Sequence, residues 1–150
     1  MKTPAHTSDT GLATSLRISV NRLARRLRVE RTVPGLGEPA LSDTQFAALS
    51  ALDRHGSMTP GGLAEHEKVQ PPSMTRVIAA LADSGLVVRS PHGTDRRQVV
   101  LTASQAGHDL VSRSRRRRDA WLARRLAELT QPERAILRSA APILEKLSQS

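Results

Sequence analysis

The sequence predicts a mainly α-helical chain carrying one small β-hairpin. Three observations lead there. Apolar residues recur at helical spacing along most of the 150 residues. Proline, glycine and Ser/Thr–Gln/Glu pairs punctuate those runs where helices start and stop. Only the stretch 86–101 sets two β-prone runs on either side of a turn-rich segment.

Residues 1–10 mix Thr, Ser, Pro and His without apolar periodicity and read as a loose tail. From Leu12 onward, Leu16, Val20, Leu23 and Leu27 define a helix that ends before Thr32-Val33-Pro34-Gly35. Ser42, followed three residues later by Gln45, is a capping box opening a helix whose stripe is Phe46, Leu49 and Leu52. Thr59-Pro60 opens a short helix over about Gly61–Glu67 that buries Leu63 and Ala64. Pro71-Pro72 opens the next, with Met74, Val77, Ile78 and Leu81 on its buried face and Gly85 just past its end. Its opposite face holds Ser73, Thr75, Arg76, Ala79 and Ala80.

Leu86–Ser90 and Gln98–Leu101 then form the hairpin around Pro91-His92-Gly93-Thr94-Asp95-Arg96-Arg97. Thr102 is expected to cap a long helix through Leu110, Val111, Trp121, Leu122, Leu126 and Leu129. Thr130 with Glu133 makes a second capping box, and the last helix is expected to bury Ile136, Leu137, Ala140, Ile143, Leu144 and Leu147, with a kink at Pro142. A short helix, a tight turn, a second helix with a small polar outer face and a trailing hairpin make a winged helix-turn-helix.

Composition narrows the function. Lys and Arg total 23 against 14 Asp and Glu, a formal net charge of +9, which points to a polyanionic partner. Cysteine is absent, which excludes disulfides, thiolate metal sites and a cysteine nucleophile. Phe46 and Trp121 are the only aromatics, against the stacking platforms that single-stranded nucleic acids require. No apolar run spans a membrane and MKTPAHTSDTGLATS holds no secretory signal, so a cytoplasmic protein without a membrane partner is expected. His6, His55, His66, His92 and His108 form no H-x-x-x-H or H-x-x-H pair, so no metal is expected. There is no nucleophile elbow or phosphate-binding loop, so neither an enzyme nor a cofactor is expected.

The segment from Leu63 to Gly107 resembles the multiple antibiotic resistance regulator (MarR) family. The resemblance rests on Leu63-Ala64, Ser73-x-Thr75-Arg76, Leu81 followed by Gly85-Leu86-Val87, Arg89, and Asp95-Arg96-Arg97 leading into Leu101-Thr102. It implies a homodimeric winged helix-turn-helix repressor, organised as one domain with a tail at 1–10, dimerisation helices at 11–33 and 103–148, and the winged unit at about 42–102. It also implies a recognition helix in the major groove, a wing arginine in the minor groove, and small aromatic or phenolic effectors that lower DNA affinity. Lys68 stands where many members have a turn glycine, and Gln70 where a serine or threonine would cap the recognition helix.

Eight residues are the expected DNA contacts. Arg76, one turn into the recognition helix, can reach guanine O6 and N7 or a phosphate; the bland alternative is pairing with Asp83. Ser73 and Thr75 suit phosphates or a thymine methyl, although both could simply serve the helix start, and Pro72 shares their face while initiating the helix. In the wing, the Asp95 carboxylate is expected to hold the Arg97 guanidinium, beside Arg96, for a narrow minor groove. The resemblance adds Arg89. Arg113 and Arg115–Arg118 point in several directions around a helix and read as a solvated stretch. Trp121 reads as packing. The apolar stripes at 12–27 and 136–147, stronger than a small monomer needs, are expected to meet a second copy. The sequence therefore predicts a regulator of double-stranded DNA at a pseudo-palindromic operator, with an architectural, sequence-indifferent DNA coat as its rival.

Overall fold

The computed structural model describes residues 9–33 and 35–149. Six helices and two strands follow in the order α1 (Asp9–Val29), α2 (Asp43–His55), α3 (Pro60–Glu67), α4 (Pro71–Asp83), β1 (Val87–Pro91), β2 (Val99–Ala103), α5 (Gln105–Ala127) and α6 (Gln131–Ser148). The tail expected at 1–10 lies outside the described residues up to position 8, and Asp9 and Thr10 already belong to α1.

The chain divides into two compact units, residues 32–116 and residues 1–31 with 117–150. In the first, Leu49, Leu52, Leu63, Met74, Ile78, Leu81, Leu86, Val87, Leu101, Leu110 and Val111 form one continuous core. The caps that start its helices form as their side chains require. Ser42 Oγ accepts the Gln45 amide at 3.1 Å while the Gln45 side chain accepts the Ser42 amide at 2.9 Å. Thr59 Oγ1 accepts the Gly62 amide at 3.0 Å. At the end of α4, Gly85 (φ +71°) donates to Ala82 and Leu86 donates to Leu81, closing the last turn through the left-handed conformation that glycine adopts without strain.

β1 and β2 pair antiparallel from Val87 opposite Ala103 to Pro91 opposite Val99. The ladder runs two residues further than the sequence predicts. Thr102, β-branched and paired with Val88, therefore lies in β2, and the cap of α5 is Ser104. Ser104 Oγ accepts the Gly107 amide at 3.1 Å and donates to the Gly85 carbonyl at 2.6 Å, while its own amide donates to Leu86. The Leu86 carbonyl sits 2.3 Å from where a Cβ on Gly107 would stand, so only glycine allows this approach. A further pairing has no periodicity to reveal it: Met58 exchanges both backbone bonds with Leu101, at 3.0 and 2.8 Å, tying the hairpin to the segment before α3. Asp53 on α2 receives His108 at 2.6 Å and Arg115 at 3.4 Å, both from α5.

In the other unit, Thr130 and Glu133 form the expected capping box, and α6 continues through Pro142. α5 ends at Ala127, so Leu129 lies beyond it. Neither α1 nor α6 buries a single residue within the chain. Ile136, Ile143 and Leu147 are 66%, 61% and 59% exposed, so α6 buries no part of its apolar stripe within the chain. Leu16, Arg17, Val20, Leu144, Leu147 and Ser148 line an open, mainly apolar groove of about 320 Å³. Trp121 is buried, with the guanidinium groups of Arg26 and Arg125 at 5.2 and 5.7 Å from its ring centre.

Candidate DNA-binding interface

α4 is held by its apolar side. Met74, Ile78 and Leu81 are buried, so Pro72, Ser73, Thr75 and Arg76 are turned outward and exposed. Arg76 has no ion pair or hydrogen bond among the described residues, and the alternative contact with Asp83 is not made. Thr75 Oγ1 donates to the Pro71 carbonyl at 3.0 Å, which fixes its rotamer and leaves its methyl and an acceptor lone pair free. Ser73 sits in the first turn, beside the open amides of the helix start; Pro71 and Pro72 carry no amide to satisfy.

The turn before α4 shows the geometry behind both departures from the common pattern. Lys68 adopts φ +53°, ψ +42°, the left-handed conformation for which glycine is usual, and closes α3 through bonds from Lys68 to Glu65 and from Val69 to Ala64. Gln70 stands at the N-cap without a side-chain bond.

In the hairpin, His92 donates its amide to Gln98 at 2.9 Å, and Gln98 donates to the Asp95 carbonyl at 3.1 Å. Asp95 Oδ1 accepts the Arg97 backbone amide at 3.0 Å. This corrects the expected carboxylate–guanidinium contact: an aspartate in a tight turn reaches the amide two residues on before it reaches a flexible side chain. Arg96 and Arg97 are both exposed, and neither guanidinium has a partner among the described residues. His92 Nδ1 accepts the amides of Thr94 and Asp95 at 3.3 and 3.4 Å, with Thr94 Oγ1 at 3.1 Å. The sequence does not reveal this role in ordering the tip, because a histidine beside Gly-Thr-Asp looks like any turn residue.

Arg89 lies in β1 opposite Leu101. With Pro60, Thr75, Ile78 and Val99 these two residues line an open cleft of about 140 Å³ between α4 and the hairpin. All eight expected contacts thus belong to one unit and to two elements, α4 and the hairpin, that pack directly on each other. The arginine run on α5 is exposed at Arg113, Arg115 and Arg116 and half-buried at Arg117 and Arg118. Arg113 pairs with Glu38 at 3.1 Å, Arg115 with Asp53, and Arg116 donates to Ser112, while Arg117 donates to the Arg31 carbonyl. Among the described residues no group of His, Asp and Glu could hold a metal ion, and no helix is long and apolar enough to cross a membrane.

The MarR family model matches residues 41–99. An HTH-type transcriptional regulator of Mycobacterium tuberculosis is 50% identical over 137 residues, covering 91% of this chain and 92% of that protein. An HTH-type transcriptional repressor of Bacillus subtilis is 27% identical, over 93% and 87% of the two chains. A MarR family protein of Bacillus stearothermophilus superposes with a TM-score of 0.79 at 20% identity, over 99% and 100% of the two chains. Two further solved structures share the fold. One is a Staphylococcus aureus MepR mutant bound to an oligodeoxyribonucleotide (TM-score 0.67, 16% identity, 92% and 96% covered). The other is Bordetella bronchiseptica BpsR, described for regulation of its DNA binding by 6-hydroxynicotinic acid (TM-score 0.64, 20% identity, 99% of each chain).

Proposed function

The chain belongs to the MarR family of helix-turn-helix transcriptional regulators, and from that premise we propose that it works as a homodimeric repressor at a pseudo-palindromic operator. The observation that carries the reading is the outward polar face of α4, where an unpaired Arg76 stands over buried Met74, Ile78 and Leu81. An anchored helix with a free guanidinium meets the requirement for reading guanine edges in a major groove. Unpaired Arg96 and Arg97 at the end of the hairpin meet the requirement for an adjacent minor groove.

Support for a dimer comes from α1 and α6, whose apolar residues find no cover within their own chain. Repression follows the name of the Bacillus subtilis relative. A small aromatic anion suits the cleft beside α4, where Ile78, Val99 and Leu101 supply apolar wall and Arg89 a cation. Regulation of BpsR by 6-hydroxynicotinic acid is a precedent for such control on this fold.

Selection of bound fragments from genomic DNA tests the reading. A two-fold-related site with half-sites about one helical turn apart is expected. Arg76→Ala should cost about 1–3 kcal/mol at that site and relax its sequence preference, while Arg97→Ala weakens binding and leaves the melting temperature unchanged. Equal recovery of all fragments would replace this reading with an architectural one.

A further inference from the structure

The positive charge of the chain does not reside where the recognition helix does. Residues 32–116 hold nine Lys and Arg against eight Asp and Glu, whereas residues 1–31 and 117–150 hold fourteen against six. The helical unit therefore carries a formal +8 of the total +9, and the winged unit only +1.

Part of that charge is used internally. Arg26 pairs with Glu30 at 2.8 Å and Arg125 with Glu128 at 2.9 Å; Arg134 donates to the Leu129 carbonyl at 2.7 Å, closing the end of α5. Arg17, Arg22 and Arg25 on α1 have no partner among the described residues, and all three are exposed. No acidic residue lies between Asp9 and Glu30. At 3.6 residues per turn, Leu12, Leu16, Val20, Leu23 and Leu27 share one arc of α1, Arg22 and Arg25 fall on the opposite arc, and Arg17 stands at the margin, beside the groove it lines with Leu16 and Val20.

We propose that this arginine face of α1 is a second surface for duplex DNA, gripping the phosphate backbone independently of α4 and the wing. Guanidinium forks match phosphate oxygens two at a time, and unpaired arginines laid on a duplex displace the cations condensed on its phosphates, which favours binding at low salt. An anionic membrane is the weaker match, because the apolar arc that would have to enter it lines a groove with Leu144 and Leu147 of α6. The duplex phosphates can come from the flanks of an operator already bound or from a second duplex.

The test uses the full chain, its Arg22→Gln/Arg25→Gln variant and the corresponding double lysine variant. Three probes are compared: the selected site alone, the same site with long random flanks, and the site together with a labelled second duplex. Wild type should gain about tenfold in affinity from the flanks, or capture the second duplex, at low salt. The glutamine variant should lose that gain, and its slope of log K against log salt should fall by roughly 2 per protomer, at about 0.9 per phosphate. On the site alone it should bind like wild type, and the lysine variant should keep the gain. A gain on the flanked probe identifies the flanks as the source; capture of the labelled duplex identifies a second molecule. If no site can be selected, random duplexes of two lengths still report the gain and the slope, so failure of the recognition reading stays separate. The proposal is overturned if wild type shows neither gain nor capture, or if the glutamine variant keeps the slope. Equal weakening on the site alone overturns it too, as does salt-sensitive binding to phosphatidylglycerol vesicles without any duplex gain.

Discussion

At the tip of the hairpin, the Asp95 carboxylate accepts the Arg97 amide while His92 Nδ1 gathers the amides of Thr94 and Asp95. The two bond sets order the main chain and leave both guanidinium groups free. Asp95→Asn keeps an oxygen at the same place and should hold operator affinity close to wild type in a fluorescence anisotropy titration. Asp95→Ala removes the acceptor and should weaken binding by roughly the 0.5–1.5 kcal/mol of one hydrogen bond. Equal loss in both variants would show that the charge of Asp95, rather than its turn, sets the wing. The sequence makes Arg96 and Arg97 legible as tip residues but cannot say what Asp95 holds, since an Asx turn and an ion pair have the same Asp-x-Arg spacing. On α4 the same limit is milder: burial of Met74, Ile78 and Leu81 follows from periodicity, and the exposure of Arg76 follows from theirs.

Between elements, Lys68 carries a local conflict. A side chain in the left-handed region costs about 1–2 kcal/mol relative to its ordinary conformations, and glycine avoids most of that cost. Lys68→Gly should therefore raise stability by about 1 kcal/mol in urea unfolding, with the two bonds that close α3 intact. A loss of stability would mean that the lysine makes a compensating contact. At the start of α6, the amide and hydroxyl of Thr130 hold the Glu133 carboxyl below its ordinary value of 4.5. A lowered value in the folded state means that the contribution is complete above the ordinary carboxylate range and is lost as pH falls through the lowered value. Acid should thus fray the first turn of α6, and Glu133→Gln, which preserves the box, should remove that acid-side dependence of helicity. Both capping boxes were legible because a polar pair three residues apart has a local cause. The Met58–Leu101 bridge and the shift of the α5 cap from Thr102 to Ser104 were not, because each depends on how far a strand finds a partner.

Across the whole molecule, the apolar stripes of α1 and α6 were legible as stripes, yet the sequence could not say whether their cover lies within the chain. The structure leaves them open: Leu12, Val20, Leu23, Ile136, Ile143 and Leu147 are all exposed, and Trp121 is the only buried hydrophobic residue in that unit among the described residues. A unit of this composition has no core of its own to offset the entropy of ordering its helices, and a second copy supplies one. Burying each such side chain is worth about 1.5–3 kcal/mol, so a carboxylate placed among them should be disabling. Leu144→Glu, in the groove that Leu16, Val20 and Leu147 also line, is expected to weaken self-association at least about a hundredfold, a change of some 2.8 kcal/mol. Sedimentation equilibrium should then show wild type as a dimer at micromolar concentration and the variant largely as a monomer, with the winged unit still folded, because its core is separate. Operator binding by the variant should become weak and steeply dependent on protein concentration, since each half-site must be filled without help from the other. A wild-type monomer at that concentration, or a dimer indifferent to Leu144→Glu, would remove α1 and α6 as the joining surface, and the two-fold operator with them.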